Sequence, residues 1–387
     1  MRSTQRFFIA LLCVTVHTSV LGQASIGATT VNDFQVVQPV SPRLDADPGS
    51  DMLMEISGWG ERFELQLEDN RQLLERLPAS RRDAIRGRGD RFLRGTLADK
   101  PDSWVRVNWI DGKLSGAFFD GRELYLLDQA GGFALPTARA VEDDATLLMR
   151  FSDLQLDGLI DHGGVPTGLP QPPPSDYGAF VMELREFVRT EGMTLLSMPV
   201  TIVVDTFFQD RHGANTESVT LGRVNFVDGI FANHFGVGIL LWHYEALTDN
   251  GTLTSSDAST LLTNQFRSYM TSGAGADLPF QGLAHLFTGR DLDGNTVGIA
   301  YLNVLCSSFA GYGVNQNLNN DTTSSLVFAH ELGHNYSAPH TDAGIMQARL
   351  SNSQEFADDS VAAMSDALGR ADCLVDGGLQ IFEDSFE

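Results

Sequence analysis

Apolar and polar positions alternate at Phe63, Leu65 and Leu67 and again at Val105, Val107 and Trp109, the two-residue period of half-buried strands. Asp111-Gly112 and Asp120-Gly121 are turn signals between such runs. Residues 25–162 therefore read as a small β-rich unit. The pattern changes at 163–178 (GGVPTGLPQPPPSDYG), where glycines and the run Pro172, Pro173, Pro174 predict an extended, accessible linker. Beyond it, residues 200–204 and 237–242 are short apolar runs of the kind found in strands buried on both faces. Helical spacing appears at Val181, Leu184 and Val188, at Val219, Val224 and Val227, and at Leu261, Leu262, Phe266 and Tyr269. It returns at Val361, Met364 and Leu368, behind the candidate cap Ser360. Strands alternating with helices predict an α/β (α+β) unit, a sheet covered by helices, over residues 179–374.

Composition narrows the classes. The 387 residues are 42% hydrophobic and 9% aromatic, which excludes wholesale disorder, and the length suits two or three units. A formal charge of −24 excludes a generic nucleic-acid binder working by phosphate neutralisation. The charge is uneven, since residues 1–178 hold 18 basic and 25 acidic side chains and residues 179–387 hold 8 and 25. An arginine cluster in the first part (Arg76, Arg81, Arg82, Arg86, Arg88, Arg91, Arg94) reads as a solvated face, with docking onto the acidic second half as the alternative.

Arg2 and Arg6 precede an apolar run over residues 7–16, followed by Gly22 and Ala24. The run is too short for the ~20 residues of a membrane span, so residues 1–24 read as a secretory signal peptide. No other stretch is apolar enough to span, and the expected location is secreted: extracellular, or periplasmic in a bacterium. Removing the signal takes Cys13 with it and leaves Cys306 and Cys373, room for one disulfide in an oxidising compartment. Residues 375–387 form an acidic tail that reads as a frayed end.

The chemistry concentrates at 330–340 (HELGHNYSAPH). If residues 324–335 are helical, His330 and His334 lie four apart on one face, so both imidazoles can meet one metal ion, with Glu331 beside them as a base. His340 supplies a third ligand if the chain turns back, and Pro339 already opposes a continued helix. Structural zinc sites usually close with four Cys or His ligands, and no fourth candidate stands nearby in the sequence, so the set reads as one catalytic zinc per chain with an open position. Outside the signal segment, the remaining histidines, His162, His212, His234, His243 and His285, are scattered and read as satisfied or exposed side chains.

These residues resemble the metzincin zinc endopeptidases, and among them the adamalysin or reprolysin group. The tight turn that carries a methionine beneath the metal in that family is matched by Gly344, Ile345 and Met346. Residues 285–303 with Cys306 and Ser307 look like the reprolysin strand, turn and edge strand. Residues 356–374 resemble the family's C-terminal helix ending in Cys-Leu, and residues 63–74 and 95–127 resemble the reprolysin propeptide. The resemblance implies a mixed twisted sheet with an active-site helix, preceded by a small β-rich prodomain. It also implies zinc on His330, His334 and His340, Glu331 as the base, and a Cys306–Cys373 disulfide. Residues 297–305 would pair with extended substrate backbone.

The chain also departs from the pattern. Ser337 stands where the family has a glycine in a left-handed bend, which costs a residue with a Cβ about 1–2 kcal/mol. Only six positions separate His340 from Met346, so the methionine turn must be tight. Pro199 and Gly282 occupy the places of the family's acidic calcium ligands, so no calcium is expected there. Residues 25–178 contain no cysteine, so the first unit must keep the enzyme latent, or assist its folding, by something other than a cysteine switch. Charge docking is the expected means, with release by cleavage between Pro174 and Met198. The reading is a secreted zinc metalloendopeptidase acting on proteins or peptides, with its own prodomain as partner. Two alternatives remain: a non-catalytic binding protein on the same fold, and a zinc hydrolase of non-peptide amides.

Overall fold

A computed structural model describes residues 29–38, 52–136, 141–156, 158–161, 163–168, 178–191, 194–353 and 355–377. The signal peptide, the proline run, His162 and all but the first residues of the tail lie outside them.

The upstream chain folds into an eight-stranded sheet, in the order Phe34–Val37, Thr146–Arg150, Leu124–Gln129, Lys113–Phe119, Lys100–Ile110, Arg91–Leu97, Glu61–Asp69, Met52–Gly58. Every neighbouring pair is antiparallel. The alternation seen in the sequence places Leu65, Leu67, Val105 and Val107 in one core with Phe118 and Tyr125. Asp111 and Gly112 take φ of 51° and 74°, the paired left-handed residues that a two-residue hairpin requires.

The downstream chain forms a second, mixed sheet in the order Ile160–Asp161, Thr296–Ala300, Tyr312–Gln316, Leu283–Thr288, Leu196–Val204, Val237–Ala246. A short strand, Val375–Asp376, is added antiparallel to the start of Leu196–Val204. The last four strands of that order run parallel, which explains their continuous apolar character, and Thr296–Ala300 runs antiparallel to its inner neighbour. Cys306 and Cys373 are joined by a disulfide with their Cα atoms 5.4 Å apart.

Between the two sheets lies the helix Thr216–Phe235, buried along nearly all of it, with Arg223, Asn225 and Asp228 among its buried polar side chains. It packs on the upstream strand Lys100–Ile110, on Val237–Ala246 and on the helix Asp321–Asn335. Gly229 is where the Trp104 ring closes on it, and a Cβ there would overlap the ring. The seam between the units is buried and polar. Arg106 pairs with Asp228 at 2.8 Å with side-chain exposures of 7% and 9%. Asn70 donates to Asn225, which donates to Asn108. The Asp128 carboxylate accepts from the N–H and hydroxyl of Thr322, in the first turn of Asp321–Asn335. Burial, with the nearby Asp321 charge, pushes the Asp128 carboxyl up to about 7.

The arginine cluster does not form one solvated face. Arg91 and Arg94 pair with Asp69 and Glu68 inside the upstream sheet. Arg76 stacks over Trp242, Arg81 reaches Glu217 and the Tyr244 carbonyl, and Arg88 donates to Ser218 of the second half.

Two helix starts differ from expectation. The C-terminal helix is Asp358–Gly369, with Ala357 as N-cap, so Ser360 is a buried residue inside it rather than the cap. Asp358 and Asp359 fall in the first turn, where negative charge meets the positive end of the helix dipole. The histidine-bearing helix begins at Asp321, not at 324, because Asn320 caps it by accepting from the Thr323 N–H at 2.7 Å.

Candidate metal centre

His330 and His334 lie one turn apart on the helix Asp321–Asn335, both with 0% exposure and with ring centroids 4.9 Å apart. The helix stops at Tyr336, and Ser337 takes a left-handed φ of 88°, the bend expected there. Its N–H donates to the His334 carbonyl and that of Ala338 to the Gly333 carbonyl, both at 2.9 Å, so the exposed helix end is satisfied as the chain reverses. The reversal carries the His340 ring to 5.5 Å from that of His330 and 5.0 Å from that of His334.

The backbone orients two of the rings. His330 Nδ1 donates to the Ile345 carbonyl and His334 Nδ1 to the Ala338 carbonyl, each at 2.7 Å, leaving Nε2 of both aimed into the cluster. Beneath them Met346 is fully buried against Gly333, where a Cβ would collide with its sulfur. Gly344 has φ 83° and the Thr341 N–H donates to the Met346 carbonyl at 3.0 Å, which closes the short turn after His340. Glu331 is fully buried beside the cluster, and neither of its carboxylate oxygens has a hydrogen-bond partner among the described residues.

A fourth group joins the three rings, and nothing in the sequence reading anticipated it. Asp161 Oδ2 lies 3.3 Å from His330 Nε2, 2.9 Å from His334 Nε2 and 2.7 Å from His340 Nε2. Burial raises the Asp161 carboxyl, but the contacts with His330, His334 and His340 outweigh it and hold the group well below the usual carboxylate range. Burial pushes Glu331 well above that range, and the Asp161 charge adds to the shift. Basic nitrogens converging on one anionic oxygen need positive charge among them, from ring protons or from a divalent cation. Three imidazole nitrogens and a carboxylate oxygen, all within 4.8 Å of one another, form a donor set that fits zinc, the cofactor of this site.

None of His212, His234, His243 and His285 joins the cluster. His285 is fully buried, donates from Nε2 to Asn335 Oδ1 at 2.9 Å and accepts at Nδ1 from Asn315 at 3.0 Å. Asn335 in turn donates to the Tyr301 carbonyl, tying the end of the histidine helix to the strand region at 301. Burial lowers the His285 pKa to about 4. The unfolded chain therefore takes up a proton below ~6.5 that the folded chain refuses, and stability contributed above that pH is lost as pH falls towards 4. Between pH 7 and 5 the wild type is expected to lose about 2 kcal/mol more than His285→Gln, read by urea unfolding. Equal losses would contradict the assignment.

The candidate metal ligands His330 and His334 thus sit on a helix packed against Thr296–Ala300 and Tyr312–Gln316 of the mixed sheet. Residues 197–365 match the Reprolysin_5 model of metallo-peptidase family M12. The human "Disintegrin and metalloproteinase domain-containing protein 22" is 23% identical over 261 residues, 65% of this chain and 28% of the relative. "A disintegrin and metalloproteinase with thrombospondin motifs 1" of Mus musculus is 22% identical over 396 residues, 88% of this chain and 40% of the relative. "Zinc metalloproteinase-disintegrin-like brevilysin H2a" of Gloydius brevicauda is 41% identical over 58 residues, 15% of this chain and 14% of the relative. The chain thus spans well under half the length of these relatives. Among solved structures, metalloproteinase-II from Bacteroides fragilis aligns with TM-score 0.49 and 11% identity, over 82% of this chain and 91% of that one. Among the described residues no helix is long and apolar enough to cross a membrane.

Proposed function

We propose that this protein is a zinc metalloendopeptidase, exported and made as a precursor, that hydrolyses peptide bonds in proteins. The observation that carries the reading is the convergence of His330, His334 and His340 beside the Glu331 carboxylate, which has no hydrogen-bond partner among the described residues, in a segment that matches the family M12 model. His330, His334 and His340 are the three protein ligands. Zinc held there supplies Lewis-acid polarisation of a carbonyl and acidification of a water molecule. Glu331 takes the proton of the attacking water and returns it to the departing amine, for which a buried carboxylate with no competing partner is suited. Thr296–Ala300, which becomes the edge of the sheet once Ile160–Asp161 leaves with the upstream unit, lays the substrate backbone out by β-addition. Gly298 lets that strand pass the Glu331 carboxylate, since a Cβ there would collide with Oε1. The family match favours this reading over a silent binding protein and over a hydrolase of non-peptide amides.

The upstream unit, residues 25–162, acts as the prodomain. The helix Gly178–Glu191 packs on Thr216–Phe235 and on Asp358–Gly369, with Val181 and Leu184 buried, so it stays with the peptidase unit. Within the interval from Pro174 to Met198, cleavage ahead of this helix separates the two units. The test is casein and gelatin hydrolysis by chain nicked at that point. Hydrolysis that stops with a chelator and returns with zinc is expected, and hydrolysis indifferent to chelator, or none, would reject the reading.

A further inference from the structure

We propose that residues 159–161 and 163–165 form an internal strap that closes the metal centre, with the Asp161 carboxylate as the fourth zinc ligand, so that the full chain is an autoinhibited precursor. The inference rests on the peptidase reading for its consequence, but its geometry stands on separate observations.

The strap is built into the cleft on both sides. On one side the Ile160 N–H donates to the Asn295 carbonyl, the Val165 N–H to that of Ala300, and the Leu302 N–H to that of Val165, at 2.8–3.0 Å. Ile160 and Asp161 thereby become a parallel strand on Thr296–Ala300 and take the backbone groups that an extended substrate would need. On the other side the Asp161 N–H donates to the Ala348 carbonyl at 3.0 Å and the Leu350 N–H to that of Leu159 at 3.2 Å. The strap therefore runs between the edge strand and the segment after Met346, directly over the histidines. Gly163 and Gly164, assigned from sequence to an accessible linker, lie in this cleft instead.

Local sequence fits the role. Gly163 has φ 91° and its N–H donates to Asp161 Oδ2 at 2.6 Å, which fixes the carboxylate. A Cβ at Gly164 would stand 3.0 Å from His334 Nδ1 and 3.1 Å from Leu302 Cβ, so only glycine lets the backbone cross the ring without displacement. The Asp161 side chain is 1% exposed, and its Oδ1 has no hydrogen-bond partner among the described residues. A buried carboxylate aimed at three ligand nitrogens has one evident use, to complete a tetrahedral set that three histidines leave open. With no cysteine in residues 25–178, a carboxylate takes the place that a thiolate would fill. Just upstream, Leu154–Gln155 pairs with Thr30–Val31 of the upstream unit, which anchors the strap to the unit that must leave with it.

The test uses the full, uncut chain loaded with cobalt(II). The wild type is expected to give the absorption of a closed four-ligand site that does not change when a small hydroxamate is added. Asp161→Ala should shift that spectrum, respond to hydroxamate, and hydrolyse casein at least tenfold faster than uncut wild type when loaded with zinc. Asp161→Asn keeps the side-chain shape and carries the same expectations if the alanine variant fails to fold. Wild-type and variant spectra that coincide and respond equally to hydroxamate would overturn the strap. Spectra that differ as expected, with no casein hydrolysis by any variant or by nicked chain, would leave the strap standing and defeat the peptidase reading.

Discussion

Glu331→Ala is expected to lower kcat/KM for casein by roughly 10²- to 10⁴-fold in the nicked chain, the span attributed to general acid–base catalysis. The direction follows from position. Glu331 shares the helix Asp321–Asn335 with His330 and His334, is fully buried, and spends neither carboxylate oxygen on a structural hydrogen bond. Alanine favours the helix and leaves the three rings and their backbone carbonyls in place, so the loss should appear in turnover rather than in folding. A Glu331→Ala enzyme as fast as the wild type would remove Glu331 from the mechanism.

The second large effect lies 225 positions upstream of that glutamate. Arg106→Ala is expected to cost about 3–5 kcal/mol in urea unfolding of the full chain, because it strands a buried charge. Asp228 Oδ2 accepts from Arg106 Nε and Oδ1 from the Ile239 N–H, and Arg106 is the one cation paired with Asp228 among the described residues. The pair crosses the seam between the upstream sheet and the central helix Thr216–Phe235, and its loss should also let nicked fragments separate at lower denaturant. A change under ~1 kcal/mol would mean the seam is solvated.

Much of this was legible in the sequence. Alternation at Phe63, Leu65 and Leu67 gave a strand, continuous apolar runs gave the parallel strands, and the four-residue spacing of His330 and His334 gave one helical face. These are local periodicities, and backbone geometry converts them directly into position. Ser337 was legible as a bend only through the family resemblance, which places a glycine in a left-handed bend there. Asp161 was not. It reaches the histidines across 173 residues from His334, in a stretch whose glycines look like a linker, and no periodicity marks a pairing that only tertiary folding creates. The indirect signal was the missing cysteine, which called for another blocking group without saying which. The arginine cluster was half legible for the same reason. Arg91 and Arg94 answer acidic neighbours on the adjacent strand, whereas Arg76 and Arg88 find Trp242 and Ser218 only once the two units meet.

Zinc content per chain in purified wild type, Glu331→Ala and His334→Ala bears most directly on the whole account, because it separates ligands from base. About one zinc is expected in the wild type and in Glu331→Ala, and only a small fraction in His334→Ala, whose ring supplies one donor of the set. A wild type without zinc, or a His334→Ala chain that holds as much as the wild type, would contradict it.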